Sequence, residues 1–205
     1  MTQPNLAPLR LDEETARAEV YGLLAALFYA PPADVLLAQL RLAVTEAPHA
    51  GGFLEEPWRA LVGVARECTC AAVASEYATL FGGVGKPEVY LFGSYYLSGF
   101  LNEKPLAKLR ADVAALGLER NEPMSETEDH VAYLCEVMRY LIAADDVEVA
   151  NLTQQQLFFS KHLQTWVPRM CEAIARHPSA RFYQALAQFT AAFVDVERQG
   201  FDLLQ

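Results

Sequence analysis

Apolar residues recur along this chain at intervals of three and four, in runs separated by proline and glycine, and no stretch alternates as a half-buried strand would. Val20, Leu23, Leu24, Leu27 and Phe28 form one stripe, which predicts a helix ended by Pro31 and Pro32. Leu36, Leu37, Leu40 and Val44 repeat the pattern, and the segment from Pro48 to Pro57, with Gly51 and Gly52, reads as a connection. Trp58, Leu61, Val62 and Ala65, then Val73, Tyr77, Leu80 and Phe81, fit one long helix or two short ones. Gly82, Gly83, Gly85 and Pro87 break the period, because glycine frees the backbone and proline removes a donor. A hinge loop is expected around residues 82–87.

Lys104 to Leu116 is again helical, with Pro105 in the first turn, Leu106, Leu109, Val113 and Leu116 on one face, and Gly117 as the stop. Ser125 and Glu128 have the spacing of a capping box, which predicts a helix opening at Ser125 and burying Val131, Leu134, Met138 and Leu141. Leu157, Phe158, Trp166, Met170 and Ile174 mark a long helix bent at Pro168. After Pro178, Tyr183, Leu186, Phe189, Phe193 and Val194 predict a terminal amphipathic helix of about 20 residues. The fold class is therefore all-α: a single globular helical bundle of about eight to ten helices across residues 1–205. The one division the pattern suggests is into sub-domains 12–81 and 104–205, joined by the loop 82–103.

With 205 residues, the chain can bury a sizeable core without disulfide staples, and its 53% hydrophobic and 20% charged content suits a globular protein. A formal net charge of −10 argues against nucleic acid as a partner and favours basic peptides by long-range attraction. Met1 to Leu11 lacks a basic segment followed by an apolar run, and no membrane span is apparent, so the expected location is the cytoplasm without stable membrane insertion. Cys68, Cys70, Cys135 and Cys171 are too scattered for a disulfide framework and read as reduced thiols.

Two groups of residues carry candidate chemistry. Tyr90, Phe92, Tyr95, Tyr96 and Phe100 crowd the segment after the glycine-rich loop, where such rings either pack a core or line a groove for an apolar peptide. Glu128, Asp129 and His130, placed in the first turns of the predicted helix, either serve its N-terminus or meet an arginine of a partner. Cys68 and Cys70 lack a second pair of zinc ligands, and Gly82 to Lys86 lacks the spacing of a phosphate-binding loop, so neither metal nor cofactor is expected.

In chain order, these residues resemble the cytoplasmic redox-enzyme maturation chaperones typified by those of the trimethylamine-oxide and dimethyl-sulfoxide reductases, over roughly Arg17 to Trp166. The landmarks are Glu19 to Pro31; Glu76, Tyr77, Leu80 and Phe81; Phe92, Gly93, Ser94, Tyr95 and Tyr96; Glu126 to His130, followed by Glu136 and Met138; and Gln156, Phe158, Phe159, His162, Leu163 and Trp166. Glu126-Thr127-Glu128-Asp129-His130 is similar to the family's Glu-Pro-x-Asp-His signature, with Thr127 where proline is usual. The nucleotide binding proposed for that motif is accordingly not carried over.

The resemblance implies an all-helical chaperone, not an enzyme, that binds the twin-arginine leader and apo-form of a molybdenum-cofactor oxidoreductase before cofactor insertion and export. It implies a binding role for Tyr77, Leu80, Phe81, Pro87, Ser94 and Tyr96 on one side and for Glu128, Asp129 and His130 on the other. One alternative is an assembly chaperone for a non-exported subunit, such as that of nitrate reductase. A more remote one is a metal- or nucleotide-dependent hydrolase using His130, His162 and Asp129 or Glu128. The oligomeric state stays open between a monomer and a homodimer formed by domain swapping through the 82–87 loop.

Overall fold

A computed structural model of the chain describes residues 13–45, 52–82, 86–119, 125–144 and 148–203. They form ten helices: α1 (Glu13–Tyr29), α2 (Asp34–Leu42), α3 (Glu55–Glu67), α4 (Cys70–Leu80), α5 (Gly93–Ser98), α6 (Lys104–Ala115), α7 (Val131–Ala143), α8 (Leu152–His162), α9 (Val167–Arg176) and α10 (Phe182–Asp202). The all-α expectation holds. Among the described residues, the only extended pairing is one antiparallel bridge, Phe92 with His130. No described helix is long and apolar enough to cross a membrane.

The apolar stripes build one hydrophobic core running from Tyr21 in α1 to Phe201 in α10. α1 lies along α7, while α10 packs on α9, α3 and α4, so early and late parts of the sequence interleave. At Gly22, where α1 faces α7, a Cβ would stand 3.0 Å from Cδ of the half-exposed Arg139 side chain. A polar knot crosses the same core. Arg17 donates to Glu197 through Nε (2.7 Å) and Nη2 (2.8 Å), Tyr21 donates its hydroxyl to Glu197 Oε2 at 2.9 Å, and Arg17 Nη1 reaches Gln155 Oε1 at 3.1 Å. Charged groups taken from water in this way persist because each meets an opposite charge and a directed hydrogen bond.

Three local expectations are corrected. The capping box does not form: α7 begins at Val131, not Ser125, and its N-cap is His130, whose Nδ1 accepts the Ala132 N–H at 3.2 Å. Glu128, Asp129 and His130 thus precede the helix, because the backbone there pairs with residues 91–93 instead of coiling. The long helix bent at Pro168 is two helices, α8 and α9, with Pro168 in the first turn of α9, where its missing N–H costs nothing. The 82–103 loop contains a short helix, α5, closed by Gly99 in the left-handed region (φ 84°). Of the expected hinge, Gly83, Val84 and Gly85 lie outside the described residues. The four cysteines are free thiols; Cys68, Cys135 and Cys171 are buried and Cys70 is half-buried.

Candidate functional site

The two groups of residues singled out in the sequence meet in space. Gly93 N–H donates to the Asp129 carbonyl at 2.9 Å and Val131 N–H to the Leu91 carbonyl at 2.9 Å, which clamps the entry of α5 to the entry of α7. The Asp129 side chain completes the clamp. Its Oδ2 accepts the Ser94 N–H at 2.9 Å, capping α5, and its Oδ1 accepts the Thr127 hydroxyl at 2.6 Å. Glu128 Oε2 accepts two N–H groups of Arg110, at 3.0 and 2.8 Å, and so ties α6 to the same joint.

Glu128, Asp129 and His130 are all buried. The His130 ring packs edge-on against Phe92 at 5.0 Å between centroids and against Tyr29 at 6.4 Å. Burial outweighs the attraction of the Asp129 carboxylate and lowers its pKa to about 4, so the imidazole is neutral near pH 7. The accepting Nδ1 then requires the ring proton on Nε2. Ser94 is buried as well, and its Oγ is the one fully buried side-chain N or O atom without a hydrogen-bond partner among the described residues.

The aromatic segment divides between core and surface. Tyr96 stacks on Trp166 at 5.6 Å, and the Arg169 guanidinium lies over the Tyr96 ring at 5.9 Å and donates to the Tyr96 carbonyl at 2.6 Å. Trp166 also explains Gly93, where a Cβ would come within 3.0 Å of the indole Nε1. Tyr90 and Tyr95 stack at 3.9 Å, and with Arg169 and Arg176 they edge a cleft of about 470 Å³. Phe100 is 71% exposed.

Tyr77 and Leu80 belong to α4, and Phe81 is its C-cap. The Tyr77 hydroxyl donates to the carbonyls of Phe28 (3.2 Å) and Tyr29 (2.8 Å), serving the C-terminal end of α1. Burial, reinforced by the charge of Glu126, pushes this phenol up to about 12. Its neighbour Glu76 caps α10 from a distance, accepting the N–H groups of Arg181, Phe182 and Tyr183 at 2.8, 3.0 and 2.8 Å. Leu80 is fully buried; Tyr77, Phe81 and Pro87 are half-buried. His162 is held elsewhere, by Asp112 at 2.9 Å, and so has a different partner from His130.

A cleft of about 800 Å³ involves none of these residues. It opens between α1, α2 and α3 and is lined by Val20, Leu23, Leu36, Leu40, Trp58 and Phe189 together with Glu19, Glu55 and Glu136, of which Glu55 is held by Arg59 at 2.5 Å and Glu136 by Arg139 at 2.9 Å. Because its walls come from five helices far apart in sequence, periodicity gave no sign of it; the one cue was Trp58, a tryptophan placed beside a connection.

Residues 52–172, more than half of the chain, match the model of the nitrate reductase delta subunit family. The chain is 28% identical over 139 residues to the chaperone protein TorD of Vibrio cholerae, a match covering 64% of this chain and 63% of that protein. It thus spans a little under two thirds of the length of that relative. A match to the TorD chaperone of Shewanella loihica is longer, 26% identical over 202 residues and covering 89% of this chain and 91% of the relative. Among solved structures, a candidate redox enzyme maturation protein from Archaeoglobus fulgidus superposes with a TM-score of 0.58 at 14% identity, covering 95% of this chain and 97% of that one. That likeness shows a shared fold.

Proposed function

Since the chain belongs to the nitrate reductase delta subunit family, we propose that it is a maturation chaperone for a molybdenum-containing oxidoreductase and not itself an enzyme. It holds the catalytic subunit in its apo-form in the cytoplasm, engages the twin-arginine leader, and releases the subunit once the cofactor is in place. The observation that carries this reading is the near full-length match to a chaperone of the same family. The site chemistry is compatible with it. His130 is buried and neutral, its Nδ1 is engaged by the backbone, and both Asp129 oxygens accept hydrogen bonds from inside the chain.

In this reading, Ser94, Leu80, Glu128, Asp129 and His130 are positioning residues that hold α4, α5, α6 and α7 in register. Direct contact with the client falls to the half-buried rings of Tyr77, Phe81 and Tyr96 and to Pro87. Affinity capture of the tagged chain from native extract, read by mass spectrometry, tests the proposal. The expected catch is a molybdoenzyme catalytic subunit lacking its cofactor; recovery of the chain without any such subunit, even after cross-linking, would overturn it. The family's description favours a second reading, in which the client is a nitrate reductase subunit that is not exported. The captured client's own N-terminus decides between them.

A further inference from the structure

We infer that the turn between α5 and α6 is a docking patch for the surface of an anionic lipid bilayer, which the chain touches without crossing. Residues 97–104 are exposed without interruption, and they include Leu97 (44%), Phe100 (71%) and Leu101 (41%). Large apolar side chains left in water so close together along the chain mark an interaction site. The backbone fixes their presentation. Gly99 (φ 84°) and Asn102 (φ 60°) both take the left-handed conformation, the Gly99 N–H donates to the Tyr95 carbonyl at 2.8 Å, and the Ser98 hydroxyl donates to the Ser94 carbonyl at 2.7 Å.

The charge around this turn runs against that of the molecule. Lys104 opens α6 and Lys108 follows one turn later, both exposed and both without a carboxylate partner among the described residues. Gly99, next to Phe100, lines the cleft that Arg169 and Arg176 edge. Arg169 gives one N–H to the Tyr96 carbonyl, and Arg176 pairs with Glu172 in an exposed contact that holds little energy in water. With Glu88 and Glu103, the neighbourhood sets four cations against three carboxylates, whereas the whole chain has 16 Lys and Arg for 26 Asp and Glu. A negative surface that repels most of the molecule therefore meets it turn first. The stacked rings of Tyr90 and Tyr95 in the same cleft carry an apolar body and a polar tip, which suits the level of lipid headgroups. Exposed apolar side chains with cations beside them fit a fluid surface, into which Leu97, Phe100 and Leu101 insert while lysine and arginine meet phosphate groups. No described helix could span the bilayer, so the contact is interfacial. The inference goes beyond the chaperone reading and does not depend on it.

The test is co-sedimentation of the full chain with vesicles of phosphatidylcholine containing about one third phosphatidylglycerol, beside vesicles of phosphatidylcholine alone. Saturable binding to the mixed vesicles is expected, about tenfold weaker to the neutral ones and weakened again when salt is raised to about 0.5 M. The double change Phe100→Ser with Leu101→Ser should reduce it about tenfold by removing the inserted side chains. Lys104→Glu with Lys108→Glu should reduce it by a similar factor, about tenfold at low salt. Unchanged thermal melts would show that the variants fold. A chain that stays in the supernatant with mixed vesicles would overturn the inference, as would equal binding to the two kinds of vesicle or by correctly folded variants. So would a dimer that the serine pair splits in light scattering, since a second copy would then cover the patch. These outcomes separate from those of the capture experiment: vesicle binding without any captured molybdoenzyme sinks the chaperone reading alone, and capture without vesicle binding sinks the patch alone.

Discussion

Where residues 91–94 cross residues 128–131, carboxylate, imidazole and backbone groups meet partners inside the chain; in the groove between α1, α2 and α3, leucine, valine and tryptophan side chains border open space. The same contrast extends outward from each region. Around the joint, Glu76 caps α10, Tyr77 serves the end of α1 and Glu128 holds Arg110. Around the groove, Leu42, Val44 and Phe53 are mostly uncovered. The residues by which the chain is most easily placed in its family hold helices to one another, whereas the open apolar groove is made of residues with no distinctive spacing.

If polar groups near the core are structural, removing them must cost stability. Glu197→Ala leaves the Arg17 guanidinium to Glu14 and Gln155 and strips the buried Tyr21 hydroxyl of its acceptor, and urea titration should show a loss of about 3–4 kcal/mol. The next largest effect is one of pH. An unfolded histidine titrates near 6.5 and His130 in the fold near 4, so the unfolded chain binds more protons between these values. Its contribution is intact above pH 6.5 and declines as pH falls towards 4, by on the order of 3 kcal/mol in full. His130→Asn retains a capping acceptor and should flatten that part of the stability profile; an unaltered slope would mean that another group is responsible.

Asp129→Ala withdraws the acceptor of the Ser94 N–H and the Thr127 hydroxyl and should cost about 2 kcal/mol, with hydrogen exchange quickening first at Ser94. At the other extreme, Val44→Asp should alter stability by less than about 0.5 kcal/mol, since that side chain is already in water. A groove variant as costly as Asp129→Ala would erase the distinction between the two regions.

Much of the helical framework was legible in the sequence because one-sided burial imposes its period: Leu24, Leu27 and Phe28 announce α1, and Pro31 with Pro32 ends it. What escaped was decided by partners distant along the chain. Ser125 and Glu128 satisfy a local rule for opening a helix, yet the backbone at 129–131 makes its hydrogen bonds with 91–93, and His130 supplies the cap instead. Pro168 is compatible with a kink or with a first turn, and nothing in the neighbouring residues distinguishes them; the short break at Leu163–Trp166, with the Trp166 indole turned back to the His162 carbonyl, selects the second. The candidate residues were legible as a set, but their roles were not, because a carboxylate that caps α5 from residue 129 has the same sequence appearance as one that awaits an arginine.

The chain's two tryptophans fall one in each region: Trp166 buried beneath Gly93 and Tyr96, and Trp58 half-covered in the wall of the groove. The molecule thus carries two indole fluorophores, one reporting on the integrity of its frame and the other on the surroundings of its open groove. Replacing either by phenylalanine leaves a single indole, so that under excitation selective for tryptophan over the nine tyrosines, quenching or a spectral shift can be assigned to one region without attaching any dye.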